Sequence, residues 1–204
     1  MKHFGLALFA IAAMTTLVPS SASATSTTLC RVHEDPCKSG NIVTSVHAEA
    51  GISTLKTSIA TVLCLWLLDV EEITGPSLAS PLTTTVNSVA YGNCGTNASH
   101  TNCSITALTG GGFSLLKTAL NLGTGTFKGV ETLVTCDLLI DIHCVYGGTV
   151  SGFAVEGAGH SAGAGNGMVT ASNLEVSRIK GSFCPEEARL TELGEPLAAI
   201  YLVS

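Results

Sequence analysis

Eight cysteines constrain the fold of this chain more than any other feature. They are Cys30, Cys37, Cys64, Cys94, Cys103, Cys136, Cys144 and Cys184. An even number of cysteines in an exported chain indicates a disulfide framework, because thiols oxidise outside the cytoplasm. The sequence contains no Cys-x-x-Cys pair and no matching histidine spacing, so it favours disulfides over a zinc site.

Residues 1–24 have the features of a secretory signal peptide. Lys2 supplies the positive charge, Phe4 to Val18 form an apolar core, and Ala22-Ser23-Ala24 is a cleavage site of small residues. The apolar core is too short to span a bilayer. The sequence therefore predicts a secreted or extracytoplasmic protein with a single β-rich domain over 25–204, a length that one core can serve.

Charge and hydropathy exclude several classes of partner. The formal net charge is −6, and the lysines and arginines are few and scattered. Nucleic acids and anionic membrane surfaces need clustered basic residues, so we expect neither as a partner. After the signal peptide, the longest apolar stretch ends at Asp69 and is too short for a membrane span, so we expect a core element there.

Short runs of valine, isoleucine, threonine and leucine alternate with glycine, asparagine, serine and proline. This spacing predicts an all-β fold, an antiparallel β-sandwich or barrel-like sandwich stapled by disulfides, with at most one or two short helices. Two segments show helical signals. Ile52 to Trp66 has a 3.6-residue apolar period, and Pro185-Glu186-Glu187 is typical of a helix N-terminus. These residues alone favour a helix slightly over a strand for Glu186–Leu193.

Eight cysteines allow 105 connectivities, and local chemistry favours some of them. Cys30 and Cys37 bracket a polar, turn-prone loop, as do Cys94 and Cys103. The resulting hypothesis pairs Cys30–Cys37, Cys94–Cys103, Cys136–Cys144 and Cys64–Cys184. On a straight strand, Cys136 and Cys144 would be roughly 26 Å apart, far beyond disulfide reach. The hypothesis therefore also predicts a bend around Leu138–Asp141 and a new strand near His143.

Gly159-His160-Ser161-Ala162-Gly163 matches the nucleophile elbow of α/β-hydrolases. That fold needs an acid and then a histidine after the serine, yet no histidine follows His160 and no aspartate follows Asp141. We therefore interpret the motif as a glycine-rich hairpin loop between Phe153–Glu156 and Met168–Ser172.

Carboxylates offer the other candidates for chemistry. Glu71-Glu72 and Glu186-Glu187 are adjacent pairs, whereas a glycosidase needs two carboxylates about 5–10 Å apart across a cleft. Asp141 and His143 share a strand face, which we interpret as solvated. We assign no catalytic, cofactor-binding or metal-ligating residue.

Three short anchors resemble those of a group of exported bacterial proteins. They are Leu29-Cys30-Arg31-Val32 with Pro36-Cys37, Val134-Thr135-Cys136 before His143-Cys144-Val145-Tyr146-Gly147, and Gly181-Ser182-Phe183-Cys184-Pro185 before a closing Ile200-Tyr201-Leu202-Val203-Ser204. Members of that group are β-rich, contain disulfides and have no assigned activity. The resemblance implies a strand for Ala188–Leu193 and no catalytic residues.

The leading hypothesis is a secreted, disulfide-stabilised structural or interaction protein with a protein or cell-surface partner. One alternative is an extracellular hydrolase that uses Ser161 or a carboxylate pair. Another is a carrier of a small apolar ligand, because the chain is 46% hydrophobic but only 5% aromatic.

Overall fold

The computed structural model describes residues 26–70, 80–97, 102–137 and 141–204, without the side chains of 49–50 and 66–70. The predicted signal peptide 1–24 and the pair Glu71-Glu72 lie outside the described residues.

Twelve strands make up the described part of the chain. They are β1 (Thr28–Cys30), β2 (Val46–Lys56), β3 (Thr61–Val70), β4 (Leu82–Thr85), β5 (Ser88–Thr96), β6 (Asn102–Thr109), β7 (Gly112–Ala119), β8 (Leu122–Asp137), β9 (Ile142–Gly157), β10 (Gly167–Lys180), β11 (Glu187–Pro196) and β12 (Tyr201–Val203). Within these residues the only helical element is a 3-10 turn at Ser39–Asn41. The all-β prediction is confirmed.

Ten strands form one antiparallel sheet that curls back on itself. Its order is β4-β7-β8-β9-β10-β11-β2-β3-β5, and β6 also pairs with β8. The first part of β8 pairs with β7 and the second part with β6. β5 lies next to β6, so the two ends of the sheet approach each other. β1 and β12 form a separate ribbon. The curl encloses the core, as the predicted barrel-like arrangement requires.

Both segments with helical signals are strands. The segment from Ile52 to Trp66 is the β2–β3 hairpin, whose turn is held by the Thr57 hydroxyl oxygen, which accepts a hydrogen bond from Ala60 N at 3.1 Å. The slight preference for a helix at Glu186–Leu193 was wrong, and the strand implied by the resemblance is confirmed. The alternation of inward and outward side chains explains the strand, since residues 188, 190, 192 and 194 face inward along β11 while Glu187 stays exposed.

The stretch around Thr135–Tyr146 is a hairpin. β8 ends at Asp137 and β9 begins at Ile142, which is opposite Cys136. The predicted start of a new strand near His143 is therefore confirmed, one residue earlier than expected. The bend predicted around Leu138–Asp141 stays a prediction. Residues 138–140 lie outside the described part of the chain.

The four disulfides agree with the sequence hypothesis in one case. Cys30–Cys37 is confirmed, with a Cα–Cα distance of 5.8 Å. The other three predicted pairs, Cys94–Cys103, Cys136–Cys144 and Cys64–Cys184, are wrong. The structure instead pairs Cys64–Cys94, Cys103–Cys136 and Cys144–Cys184.

Strand pairing explains the three errors. Cys103 and Cys136 are direct register partners on β6 and β8, with Cα atoms 4.1 Å apart. Across the β8–β9 hairpin, Cys144 is opposite Val134 and so is two residues out of register with Cys136. Closeness in the sequence was therefore a poor guide, because two of these bridges join neighbouring strands and the third joins Cys144 on β9 to Cys184 in the β10–β11 connection.

We expect removal of Cys103–Cys136 to destabilise the fold more than removal of Cys30–Cys37. The two bridges span sequence separations of 33 and 7 residues. Loop-closure entropy predicts a loss of about 3–4 kcal/mol in the free energy of unfolding for the double Cys→Ala variant of the first, and about 2 kcal/mol for the second. Guanidinium denaturation measures both values. Non-reducing peptide mapping that finds Cys94 joined to Cys103 would contradict the connectivity.

Candidate ligand-binding site

Two cavities bounded by described residues lie inside the curled sheet, and Phe127 lines both. We call the first the carboxyl chamber, a cavity of about 60 Å³ that contains Glu192. The second is the apolar chamber, of about 80 Å³. Its lining includes Leu29, Ala48, Leu82, Phe113, Leu115 and Leu202.

Three aromatic rings form the partition between the chambers. Phe127 lies 4.7 Å from Phe113 and 4.9 Å from Phe153 between ring centroids, the second pair edge to face. Gly125 makes room for them, since a Cβ atom at this position would lie 2.4 Å from the Phe113 ring. Phe113 is the register partner of Phe127, and Phe153 that of Gly125. Sheet register therefore sets the partition.

The carboxyl chamber surrounds a buried acid with hydroxyl groups. Glu192 faces inward from β11 and is 8% exposed. The Ser53 hydroxyl, from the neighbouring strand β2, donates a hydrogen bond to Glu192 Oε1 at 3.0 Å. The Tyr91 hydroxyl interacts with the same carboxyl and with Thr132. This network satisfies polar groups that would otherwise be costly to bury.

Burial raises the pKa of Glu192 to about 7, although the hydrogen bonds from Ser53 and Tyr91 act in the opposite direction. Burial also raises the pKa of Tyr91, and the nearby Glu192 carboxylate adds to this effect. The Glu192 carboxyl is therefore close to half protonated at neutral pH. The lining of this chamber contains no histidine and no second carboxylate to form an acid–base pair.

An open groove of about 360 Å³ lies beside the apolar chamber. It is lined by Arg31, Val43, Ser45, His47 and residues 197–199, together with Val46 and Ile200. Val46 and Ile200 also line the apolar chamber, so the groove and the chamber are adjacent and share these two residues.

Backbone hydrogen bonds hold the groove in place. Leu197 N donates to His47 O at 2.9 Å, and Ile200 N donates to Asn166 O at 3.0 Å. These bonds fix the β11–β12 connection against β2 and against the β9–β10 loop. The groove wall is therefore anchored on both sides.

The structure places the motif residues apart from the chambers or at the surface. Ser161 lies in the β9–β10 loop, and its hydroxyl donates to Glu156 Oε2 at 2.6 Å, so the predicted hairpin loop is confirmed. No histidine hydrogen-bonds to Ser161 among the described residues. Glu186, Glu187, Asp141 and His143 are exposed.

One cluster with metal-ligand spacing occurs among the described residues, and it consists of Cys30, Glu34 and Cys37. Both sulfurs belong to a disulfide and cannot act as thiolate ligands. The cluster therefore supports no metal site.

Sequence reasoning missed Glu192, Arg31 and His47 as site residues. Glu192 left a signal, since it occupies an inward position in the alternation of β11. Arg31 and His47 have no such signal in the sequence, because the groove forms only when the β11–β12 connection packs against β2.

The fold and the site define a disulfide-stapled, all-β protein with an interior apolar chamber beside a surface groove. Comparison with protein-family models, curated proteins and solved structures finds no match. Among the described residues, no helix is long and apolar enough to cross a membrane.

We expect Glu192→Gln to stabilise the protein at alkaline pH. A carboxyl whose pKa rises from 4.5 when unfolded to about 7 when folded loses its stabilising effect as pH rises across that interval. The amide does not ionise, so the variant should gain up to about 3 kcal/mol over wild type near pH 8 and little near pH 4.5.

Urea denaturation at the two pH values measures this difference, and Glu195→Gln, on the exposed face of the same strand, is the control. An equal effect of Glu192→Gln at both pH values would show that the Glu192 carboxyl does not titrate in this way.

Proposed function

We propose that the protein binds a small apolar ligand outside the cytoplasm, in the apolar chamber and the groove beside it. The observation that carries the proposal is that Val46 and Ile200 line both spaces. The groove and the interior are therefore neighbouring spaces, and a ligand in the groove contacts residues that also line the chamber.

The dimensions support this role. Ligand pockets commonly enclose about 300–1,000 Å³, and the groove alone is about 360 Å³. The apolar chamber adds space in which Thr84 and Glu156 are the only polar side chains among the described lining residues. Filling such a space with hydrocarbon gains about 0.8 kcal/mol per buried CH₂.

The disulfides support the same proposal. Four bridges indicate an oxidising compartment outside the cytoplasm. Three of them tie the curled sheet together, which pre-organises its interior and lowers the ordering cost of binding.

We expect octan-1-ol to bind with a Kd below about 1 mM, equivalent to at least about 4 kcal/mol. Methyl NMR signals of Val46, Ile200 and Leu82 should shift and saturate. Ala48→Leu adds volume in the chamber and should weaken binding at least about tenfold, and the variant should stay folded because overpacking costs about 1–3 kcal/mol, less than the stability of a typical domain. Ala154→Leu, at an exposed position of β9, is the matched control.

Shifts that do not saturate, or that survive Ala48→Leu unchanged, would contradict the proposal. Mass spectrometry of compounds extracted from protein purified without detergent provides a second measurement. An apolar compound retained by wild type and lost from Ala48→Leu is the expected result.

A second candidate function, protein interaction, rests on an exposed apolar row. Ile52 is the register partner of both Leu65 and Leu193, so the three side chains lie side by side across β3, β2 and β11. Their exposures are 50%, 44% and 44%. Contiguous exposed apolar surface is typical of interaction sites.

If this row mediates self-association, the double variant Ile52→Thr/Leu65→Thr should abolish it, because threonine keeps the strand preference but removes apolar surface. Sedimentation velocity over a range of protein concentrations measures the effect. A wild-type sedimentation coefficient that does not depend on concentration would count against this mode of interaction. The control is Leu116→Thr, an exposed site on β7.

A further inference from the structure

We propose that the ligand is an anionic amphiphile with a single hydrocarbon chain, whose head group binds Arg31 while its chain lies in the groove and the apolar chamber. The inference rests on the proposed function and adds the chemical class of the ligand.

The charge of Arg31 is the first part of the argument. Its exposed guanidinium lines the groove and forms no ion pair with any described residue. Three other cations of the described chain are paired, namely Lys38 with Glu34, Lys117 with Asp35, and Arg189 with Glu175, whereas Lys56, Lys128 and Lys180 resemble Arg31 in having no ion pair among the described residues. What sets Arg31 apart is therefore its position in the groove. A guanidinium offers a planar fork of donors that matches a carboxylate or a phosphate.

The surroundings make this cation distinctive. The chain carries 9 lysines and arginines against 15 aspartates and glutamates, so most of its surface repels anions. The described lining of the groove contains no carboxylate that would compete for Arg31. His47 lines the same groove and offers a second polar side chain near a head group. An anion is therefore the complementary ligand group.

The path behind the head group is apolar. Leu197 and Ala199 line the groove, Val46 and Ile200 line both the groove and the apolar chamber, and Phe127 lines the chamber. A cation in the groove and hydrocarbon in the adjoining chamber match the two ends of an anionic amphiphile. A purely apolar ligand would leave Arg31 unused, and a small inorganic anion would leave the chamber unused.

The test compares eight-carbon ligands on the protein without its signal peptide, by isothermal titration calorimetry at low salt. Octanoate and octyl phosphate represent the anionic class, octan-1-ol the neutral one and octylammonium the cationic one. We expect both anions to bind at least tenfold more tightly than octanol, and octylammonium to bind more weakly than octanol. Acetate, which has the head group without the chain, should not bind measurably.

Arg31→Gln should remove the tenfold preference for the anions and leave octanol binding unchanged. Lys128→Gln makes the same charge change at an exposed site on β8, away from the groove, and should change nothing. Ala48→Leu should weaken octanoate and octanol alike, because both place a chain in the chamber.

The outcomes separate the two proposals. Octanol binding as tightly as octanoate, with no effect of Arg31→Gln, overturns the anionic class and leaves the proposed function standing. Tighter binding of octylammonium than of octanoate also overturns the anionic class and leaves the proposed function standing. No binding of any eight-carbon ligand overturns both proposals, and acetate binding as tightly as octanoate overturns the role of the chamber.

Discussion

The pairing of β8 with β9 is the interaction on which the rest of this structure depends. The two 16-residue strands are in register from Leu122 opposite Glu156 to Cys136 opposite Ile142. The other edge of β8 is shared by β7 and β6, so three further strands, including β4, take their positions from it.

At two positions the backbone passes so close to a carbonyl oxygen of β8 that only glycine fits. A Cβ atom at Gly147, whose φ is +152°, would lie 1.9 Å from the Val130 carbonyl oxygen, and one at Gly111, whose φ is +63°, would lie 2.1 Å from the Lys128 carbonyl oxygen.

Disulfides hold both sides of the place where the sheet curls back on itself. Cys64–Cys94 joins β5 to β3, and Cys103–Cys136 joins β6 to β8, while β5 and β6 lie side by side between them. The curl turns one face of the sheet into a continuous interior. The aromatic partition around Phe127 then divides this interior, because Phe113 lies opposite Phe127 on β7 and Gly125 leaves room for the rings opposite Phe153.

The two halves of the interior differ in chemistry. In the carboxyl chamber a buried acid is held by hydroxyl groups from β2 and β5, and its burial costs stability when it ionises. The apolar chamber has almost no polar lining and lies directly behind the groove. An internal network that fixes the scaffold is compatible, in one small domain, with an adjacent space that we propose accepts hydrocarbon. Both depend on inward positions of strands, and neither depends on the hydrolase-like motif at Ser161.

The sequence by itself determined the secondary-structure class and the positions of several loops. Alternation and turn residues predicted the strands and the loop around Ser161, because those signals are local. The new strand near His143 was instead predicted from a Cys136–Cys144 bridge that the structure does not contain. The sequence also predicted the Cys30–Cys37 bridge, whose partners are close in the chain. Only the tertiary structure decided the other three bridges, since Cys64–Cys94 and Cys103–Cys136 join strands and Cys144–Cys184 joins β9 to the β10–β11 connection, and all three pairs are distant in the chain. The same reason applies to Arg31, which is an ordinary charged residue in the sequence and becomes the cation of a groove only when the β11–β12 connection packs against β2.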